Sequence, residues 1–286
     1  MFANAQWQPD RMLLDGLMFR LEQNRGLVWQ DQMEHFRFFK TKELIDAYAK
    51  FFQRASPPSA NVLELGLWDG GSLAFWFEML RPQKMVGLDI EDRTDSDYFR
   101  RYVATRDFGK RISTYWRTNQ ADVRRLREIC DSEFDGPLDL VFDDASHLYA
   151  PTKVSFETLF PRLRTGGFYI IEDWAWAHWR DFARPGEWST SFPPTKLVME
   201  LIAATGTGRD AVAGVEVFPG FVAIERGTQA LDSHFRVQDI VYSRPDDGRL
   251  RRVVNRLMWG PEREALAKLK RRIVGDRVNR RSAVSQ

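Results

Sequence analysis

The sequence is short of the features that mark secreted, membrane-spanning or cysteine-rich metal proteins. It has one cysteine in 286 residues, Cys130, which excludes an internal disulfide and a multi-cysteine zinc site. That residue reads as an ordinary helix position. No apolar run approaches the roughly 18 residues a membrane-spanning helix needs. The opening residues, MFANAQWQPDRM, lack the basic start and apolar middle of a signal peptide, so a cytoplasmic protein is expected. There is no internal repeat, no low-complexity segment, no dinucleotide fingerprint G-x-G-x-x-G and no nucleic-acid motif. Net charge is also small, +2, with 43% hydrophobic and 29% charged residues, which fits one large globular domain with elaborations.

That charge is unevenly spread. From Arg244 to the end there are thirteen lysines and arginines against five acids, a local +8, leaving −6 for residues 1–243. Such a tail can attract nucleic acid or anionic lipid. Leu266, Leu269 and Ile273 stand at helical spacing among the basic residues, and a solvated amphipathic helix is the simpler reading.

What is present is organised around residues 138–174. Residues 138–142 read as a buried strand that ends in Asp143 and Asp144, with His147 just beyond; a helix and a Gly166-Gly167 turn follow. Residues 168–171 then form a second apolar strand ending in Glu172 and Asp173. In an open parallel sheet ligands collect at the carboxyl ends of strands, so these five side chains should converge on one crevice.

Other segments supply the frame. Residues 1–55 read as helical and aromatic-rich, with Phe36, Phe38, Phe39, Tyr48, Phe51 and Phe52, and are closed by Pro57-Pro58. Residues 61–80, NVLELGLWDGGSLAFWFEML, read as a strand, a glycine turn (Gly66, Gly70, Gly71) and an amphipathic helix opening at Ser72, a place that favours an anion. MVGLDI, residues 85–90, brings Asp89 to the tip of the next strand, where a ribose diol would be held. Residues 111–116 form a third strand, and the polar residues 118–122 could read an adenine edge. Asp122 could equally N-cap the helix that follows. Residues 180–194 read as loop and 195–204 as helix. The runs 215–218 and 221–226, parted by Pro219-Gly220, read as an antiparallel hairpin. The expected fold class is therefore α/β: a Rossmann-like, doubly wound, mostly parallel sheet with a terminal antiparallel hairpin. It would form a core of residues 56–230, between a helical N-terminal addition (1–55) and a basic helical C-terminal one (231–286).

The stretches ELGLWDGGS, GLDI, NQAD, FDDASH and LFPRLRTGGFYIIEDW resemble the class I S-adenosylmethionine-dependent methyltransferases. More narrowly they resemble the macrocin and mycinamicin sugar O-methyltransferase group, over about residues 60–227. The resemblance implies that Glu64, Gly66, Gly70 and Ser72 surround the methionine part of S-adenosylmethionine. Asp89 would take the ribose, and Gln120 and Asp122 the adenine side, with Asp143 either at the cofactor or supporting the turn. It implies a divalent ion, usually magnesium, on Asp144, Glu172 and Asp173, with His147 as general base. Ala145 replaces the glycine of the commoner D-D-G-S-H, which could alter the turn that aims His147. Tyr149, Trp174 and Trp176, with Trp179, could stack on a sugar ring or belong to the core or a subunit interface.

The residue types suit that chemistry in their own right. A sugar hydroxyl is a poor nucleophile; a cation on carboxylates orients it and lowers its pKa, and an imidazole, whose ordinary pKa is about 6.5, can take its proton. Oxygen ligands suit magnesium, calcium or manganese better than zinc. The expected partner is a sugar-bearing acceptor, with no nucleic acid and no membrane span, and the apolar N-terminal segment favours a homo-oligomer such as a dimer. Three rivals stand beside this reading. One is a non-haem iron oxygenase built on His147, His178 and Asp144 or Asp173; the others are a non-catalytic anion-binding protein and a NAD-dependent dehydrogenase, which the glycine spacing disfavours.

Overall fold

The computed structural model describes residues 5–22, 34–179, 192–207 and 210–241. Most of the 180–194 loop and all of the basic tail from Arg244 lie outside the described residues.

Apolar runs bounded by turns become the interior strands. β5 (Asn61–Leu65), β6 (Lys84–Leu88) and β8 (Leu138–Asp143) are buried almost end to end, as strands covered on both faces must be. With β7 (Ile112–Tyr115), β9 (Leu163–Glu172), β10 (Val212–Val217) and β11 (Phe221–Arg226) they form a sheet in the order β10-β11-β9-β8-β5-β6-β7. β9, β8, β5, β6 and β7 run parallel. β11 pairs antiparallel with both β9 and β10. The expected terminal hairpin is present, with its second strand inserted between the first and the parallel set. Gly166 and Gly167 fall inside β9 rather than ahead of it, beside a register shift against β8.

Helices cover both faces. On one side lie α1 (Lys42–Ala55), α2 (Gly71–Leu80) and α3 (Asp97–Thr105); on the other lie α4 (Val123–Glu133), α5 (Tyr149–Leu159) and α6 (Thr195–Thr205). α1 starts where the Thr41 hydroxyl accepts the Leu44 N–H at 3.2 Å and buries Ile45, Tyr48, Phe51 and Phe52 as one stripe. α4 starts on Asp122, whose carboxylate accepts the Arg125 N–H at 3.0 Å.

The helical reading of residues 1–55 holds for α1 and is corrected for the part before it. β1 (Gln6–Trp7), β2 (Arg11–Leu14), β3 (Leu17–Leu21) and β4 (Phe36–Phe38) form a second, four-stranded sheet in chain order. The physical reason is a period of two: Met12 and Leu14, then Leu17 and Phe19, are buried on one face. They flank Asp15-Gly16, whose φ values of 48° and 79° suit a two-residue hairpin. This sheet also changes α2. Read as amphipathic, α2 is buried on nearly every side, because Phe19, Phe36 and Phe38 of the small sheet share its core. Its one acid, Glu78, is met by Arg106, Arg81 and the Tyr102 hydroxyl.

At the centre of that core Phe142 stacks on Trp76 with ring centroids 4.6 Å apart, and Tyr48 packs edge-on to Trp76 at 4.7 Å. Phe142→Ala should cost about 3–5 kcal/mol of unfolding free energy, read as a lowered midpoint in urea denaturation.

Candidate active site

The site forms where the turns after β5 and β8 lean on each other. The Gly66 N–H donates to the Leu88 carbonyl at 2.8 Å and the Asp144 N–H to the Leu65 carbonyl at 2.9 Å. Gly66 has φ of 92°, and a Cβ there would sit 2.3 Å from the Asp144 carbonyl oxygen. Only glycine allows this approach. A second close pass, 2.1 Å from a Cβ on Gly71 to the Arg37 carbonyl, brings β4 against the start of α2.

These turns open on a cavity of about 530 Å³ lined by Gly66, Trp68, Ser72, Asp89 and residues 118–121, together with Lys40, Asp144 and His147. Its size suits a nucleoside-bearing ligand. Asp89 braces the glycine turn: one carboxylate oxygen accepts the N–H groups of Leu67 and Trp68 at 2.7 and 2.9 Å, and the other accepts that of Glu91 at 2.8 Å. Gln120 joins two turns, accepting the Ser146 N–H at 2.9 Å and donating to Asp143 at 3.1 Å. Asp143 does not line the cavity. It is buried in the sheet, accepting from the Tyr169 hydroxyl at 2.6 Å and from Ser155 at 2.9 Å; burial raises its pKa against those donors. Of the two places expected for it, at the cofactor or in support of the turn, its contacts are those of the second, on Gln120. Asp122 is used as the cap of α4, Gly70 shapes the turn with φ of 85°, and Glu64 is fully buried beneath the turn. Burial pushes the Glu64 carboxyl up to about 8, with Lys40 and Ser72 pulling it down.

The acidic end is compact. His147 Nε2 lies 3.8 Å from Asp144 Oδ1 and 4.0 Å from Asp173 Oδ2, and one donor atom from each of the three lies within 4.8 Å of the others. His147 and Asp173 both hold left-handed backbone, φ 53° and 49°, a strain that side-chain placement at functional sites sustains. The Trp176 indole donates to the His147 carbonyl at 2.7 Å, and the Asp173 N–H to the Gly220 carbonyl at 2.9 Å. Two carboxylates at this spacing fit a divalent cation, with the imidazole beside it.

Glu172 faces elsewhere. Both of its oxygens lie 2.7 Å from Lys40 Nζ, and one accepts the Tyr48 hydroxyl at 2.8 Å. The same ammonium donates to Asp144 Oδ2 at 2.9 Å. Burial opposes the charge of Lys40, but Asp144, Glu172 and Glu64 outweigh it and hold the lysine pKa above its ordinary value. Burial and Asp144 push the Glu172 carboxyl up, against Lys40 and Tyr48. Sequence reasoning missed Lys40; its one signal is a cation closing the aromatic run FRFFK.

The aromatic residues at the start of α5 and beyond β9 are engaged in the scaffold. The Trp174 indole donates to the Phe218 carbonyl at 3.0 Å, Trp176 braces His147, and the Tyr149 hydroxyl donates to Glu200 at 2.9 Å. None of the three lines the cavity. His178 ends a short 3-10 turn and is not part of the Asp144, His147 and Asp173 cluster, so among the described residues no two-histidine triad forms.

A doubly wound sheet with one reversed strand near its edge, a glycine turn at the first strand tip of the core and a carboxylate at the second defines the class I methyltransferase fold. Residues 63–174 match the family described as "Methyltransferase domain", and this part of the chain is a domain of that family. The chain is 31% identical over 212 residues to the mycinamicin VI 2''-O-methyltransferase of Micromonospora griseorubida, covering 70% of this chain and 48% of that protein. It is 29% identical over 204 residues to the demethylmacrocin O-methyltransferase of Streptomyces fradiae, covering 64% and 48%. An 8-demethyl-8-alpha-L-rhamnosyl tetracenomycin-C 2'-O-methyltransferase of Streptomyces olivaceus is 33% identical over 143 residues, covering 48% and 34%. The solved structure of the MycE methyltransferase from the mycinamycin biosynthetic pathway, in complex with Mg, SAH and mycinamycin VI, superposes with a TM-score of 0.50 at 32% identity, covering 66% of this chain and 51% of that one. The chain thus spans about half the length of the first two relatives and of that structure.

Because Asp89 holds three backbone donors of the cavity wall, Asp89→Ala leaves them unpaired at about 1–3 kcal/mol each when buried. The midpoint of urea denaturation should fall accordingly while the far-ultraviolet circular dichroism is kept.

Proposed function

We propose that this protein is an S-adenosylmethionine-dependent O-methyltransferase that uses a divalent cation, such as magnesium, to methylate a hydroxyl of a sugar or glycoside. The observation that carries this reading is the contact between the two turns. The Gly66 backbone packs on the Asp144 carbonyl, so the cavity suited to a methyl donor adjoins the Asp144, His147 and Asp173 cluster. The names of the relatives support it, one of them specifying a rhamnosyl compound.

When bound, the donor offers an electrophilic sulfonium methyl, and the cation lowers the pKa of the acceptor hydroxyl and fixes its direction. His147 takes the hydroxyl proton as the acceptor oxygen bonds to the methyl carbon and the carbon–sulfur bond breaks. Trp176 keeps the His147 backbone in place for this step. Asp144 and Asp173 would hold the cation through oxygen, with Glu172, the third carboxylate, held on the Lys40 side. Gly66 and Ser72 face the methionine part and Asp89 the ribose; Gln120 borders the adenine side, while Glu64 and Gly70 shape the turn. Tyr149, Trp174 and Trp176 bear on the acceptor through the position of His147 and the α5 and α6 starts. The division at residues 56 and 230, a cytoplasmic setting and a homo-oligomer such as a dimer belong to the same proposal. No helix among the described residues is long and apolar enough to cross a membrane.

Chelation with EDTA should abolish methyl transfer to a glycoside panel, and added magnesium should restore it; activity indifferent to EDTA removes the cation from the reading. His147→Ala should lower turnover by roughly 10²–10⁴ with S-adenosylhomocysteine affinity retained, and near-normal turnover would rule out its role as base.

A further inference from the structure

We propose that Lys40 is a built-in competitor of the divalent cation: its ammonium holds Asp144 and Glu172 together before the ion arrives and must release at least one of them when the ion binds. The proposal rests on the metal-assisted reading above. Lys40 Nζ touches three carboxylate oxygens at 2.9, 2.7 and 2.7 Å, and Lys40 and Glu172 are both buried. Both oxygens of Glu172 are therefore committed, one of them doubly through Tyr48. Glu172 cannot give a full ligand to a metal while those contacts last. Asp144 is shared between the two claims, with Oδ2 on Lys40 and Oδ1 toward His147. A dication on the Asp144 and Asp173 carboxylates, beside His147, would sit on the other oxygen of a carboxylate already carrying an ammonium, and in a water-poor setting that like-charge repulsion is strong.

Lysine suits such a role. Its charge is compact and its four-carbon stem flexible, so it can withdraw without moving the backbone, which an arginine fork would not do as readily. The backbone here has little freedom: Lys40 precedes Thr41, the cap of α1, and Gly71 packs on Arg37. The side chain is the part that yields. The consequence is an acidic cluster that is partly neutralised and ordered without metal, and an ion affinity set below that of the bare carboxylates.

The test is the dissociation constant for Mn²⁺ alone, read by electron paramagnetic resonance on the full chain. Lys40→Met should tighten it by roughly tenfold or more, within the usual range of a coupling between two ligands of one site. Lys40→Gln, which retains a donor toward Glu172 and so guards against misfolding, should do the same. Tyr48→Phe, which removes a hydrogen bond and no charge, should change it by less than about threefold. The lysine variants should also melt at lower temperature without metal and gain more from Mn²⁺ than the wild type does. Wild-type binding with an unchanged or weaker constant in both folded lysine variants overturns this proposal and leaves the metal-assisted reading standing. Absence of Mn²⁺ binding in the wild type and both variants overturns the metal-assisted reading and the proposal with it.

Discussion

The constraint on which the site depends is the van der Waals contact between two backbone turns. Gly66 is pressed against the Asp144 carbonyl with no space for a side chain. Because β5 and β8 are neighbours in the sheet, their tips end side by side, and the missing Cβ lets the turns close. Everything chemical is hung on those turns. Asp89 supports the first from the adjacent strand; Gln120 ties to the second through Ser146 and is itself held by Asp143 and Ser155. Asp143, lodged under the sheet with Tyr169, thus influences the cavity at one remove. Two adjacent acids on one strand end have opposite tasks because a strand turns successive side chains to opposite faces.

The second layer of the design is the N-terminal sheet. α2 carries Leu73, Phe75, Trp76, Phe77 and Met79, too much apolar surface for a helix with a solvent side, and the small sheet supplies the missing cover. That cover also delivers Arg37 and Lys40 to the cavity. Packing and chemistry are joined in one segment: the aromatic side chains of β4 and α1 anchor it, and the lysine between them reaches the carboxylates. Removing that lysine would leave Glu172 buried without its main cation, a costly state for a carboxylate.

Much of this was legible in the sequence, and the reasons are specific. Continuous apolar runs ending in acids gave β5, β6, β8 and β9 and their tips, because a parallel strand buried on both faces has no polar alternation to blur it. Pro219-Gly220 marked the hairpin, and Asp122 marked the start of α4. The N-terminal sheet was misread because abundant aromatics were weighed above pattern: Leu14-Asp15-Gly16-Leu17 is an Asp-Gly turn between alternating apolar residues, a hairpin signal in plain view. Asp143, Asp144, Glu172, Asp173 and His147 were expected to converge on one crevice, whereas Asp143 lies under the sheet with Tyr169 and Ser155. The partition of the other four into an Asp144, His147 and Asp173 group and a Glu172, Lys40 and Tyr48 group was not expected, since it depends on a lysine 104 residues from Asp144 along the chain. No local spacing rule connects positions so far apart; only the docking of the small sheet onto α2 does.

That docking bears on how the protein can be cut. A fragment beginning at residue 56 would respect the apparent border of the methyltransferase core, yet it would expose Trp76 and Phe75 to water and strip both Lys40 and Tyr48 from Glu172. Residues 36–52, though they precede every strand of the main sheet, thus belong to the cavity wall and its support as much as the strands themselves, and a fragment that keeps the cavity has to include them.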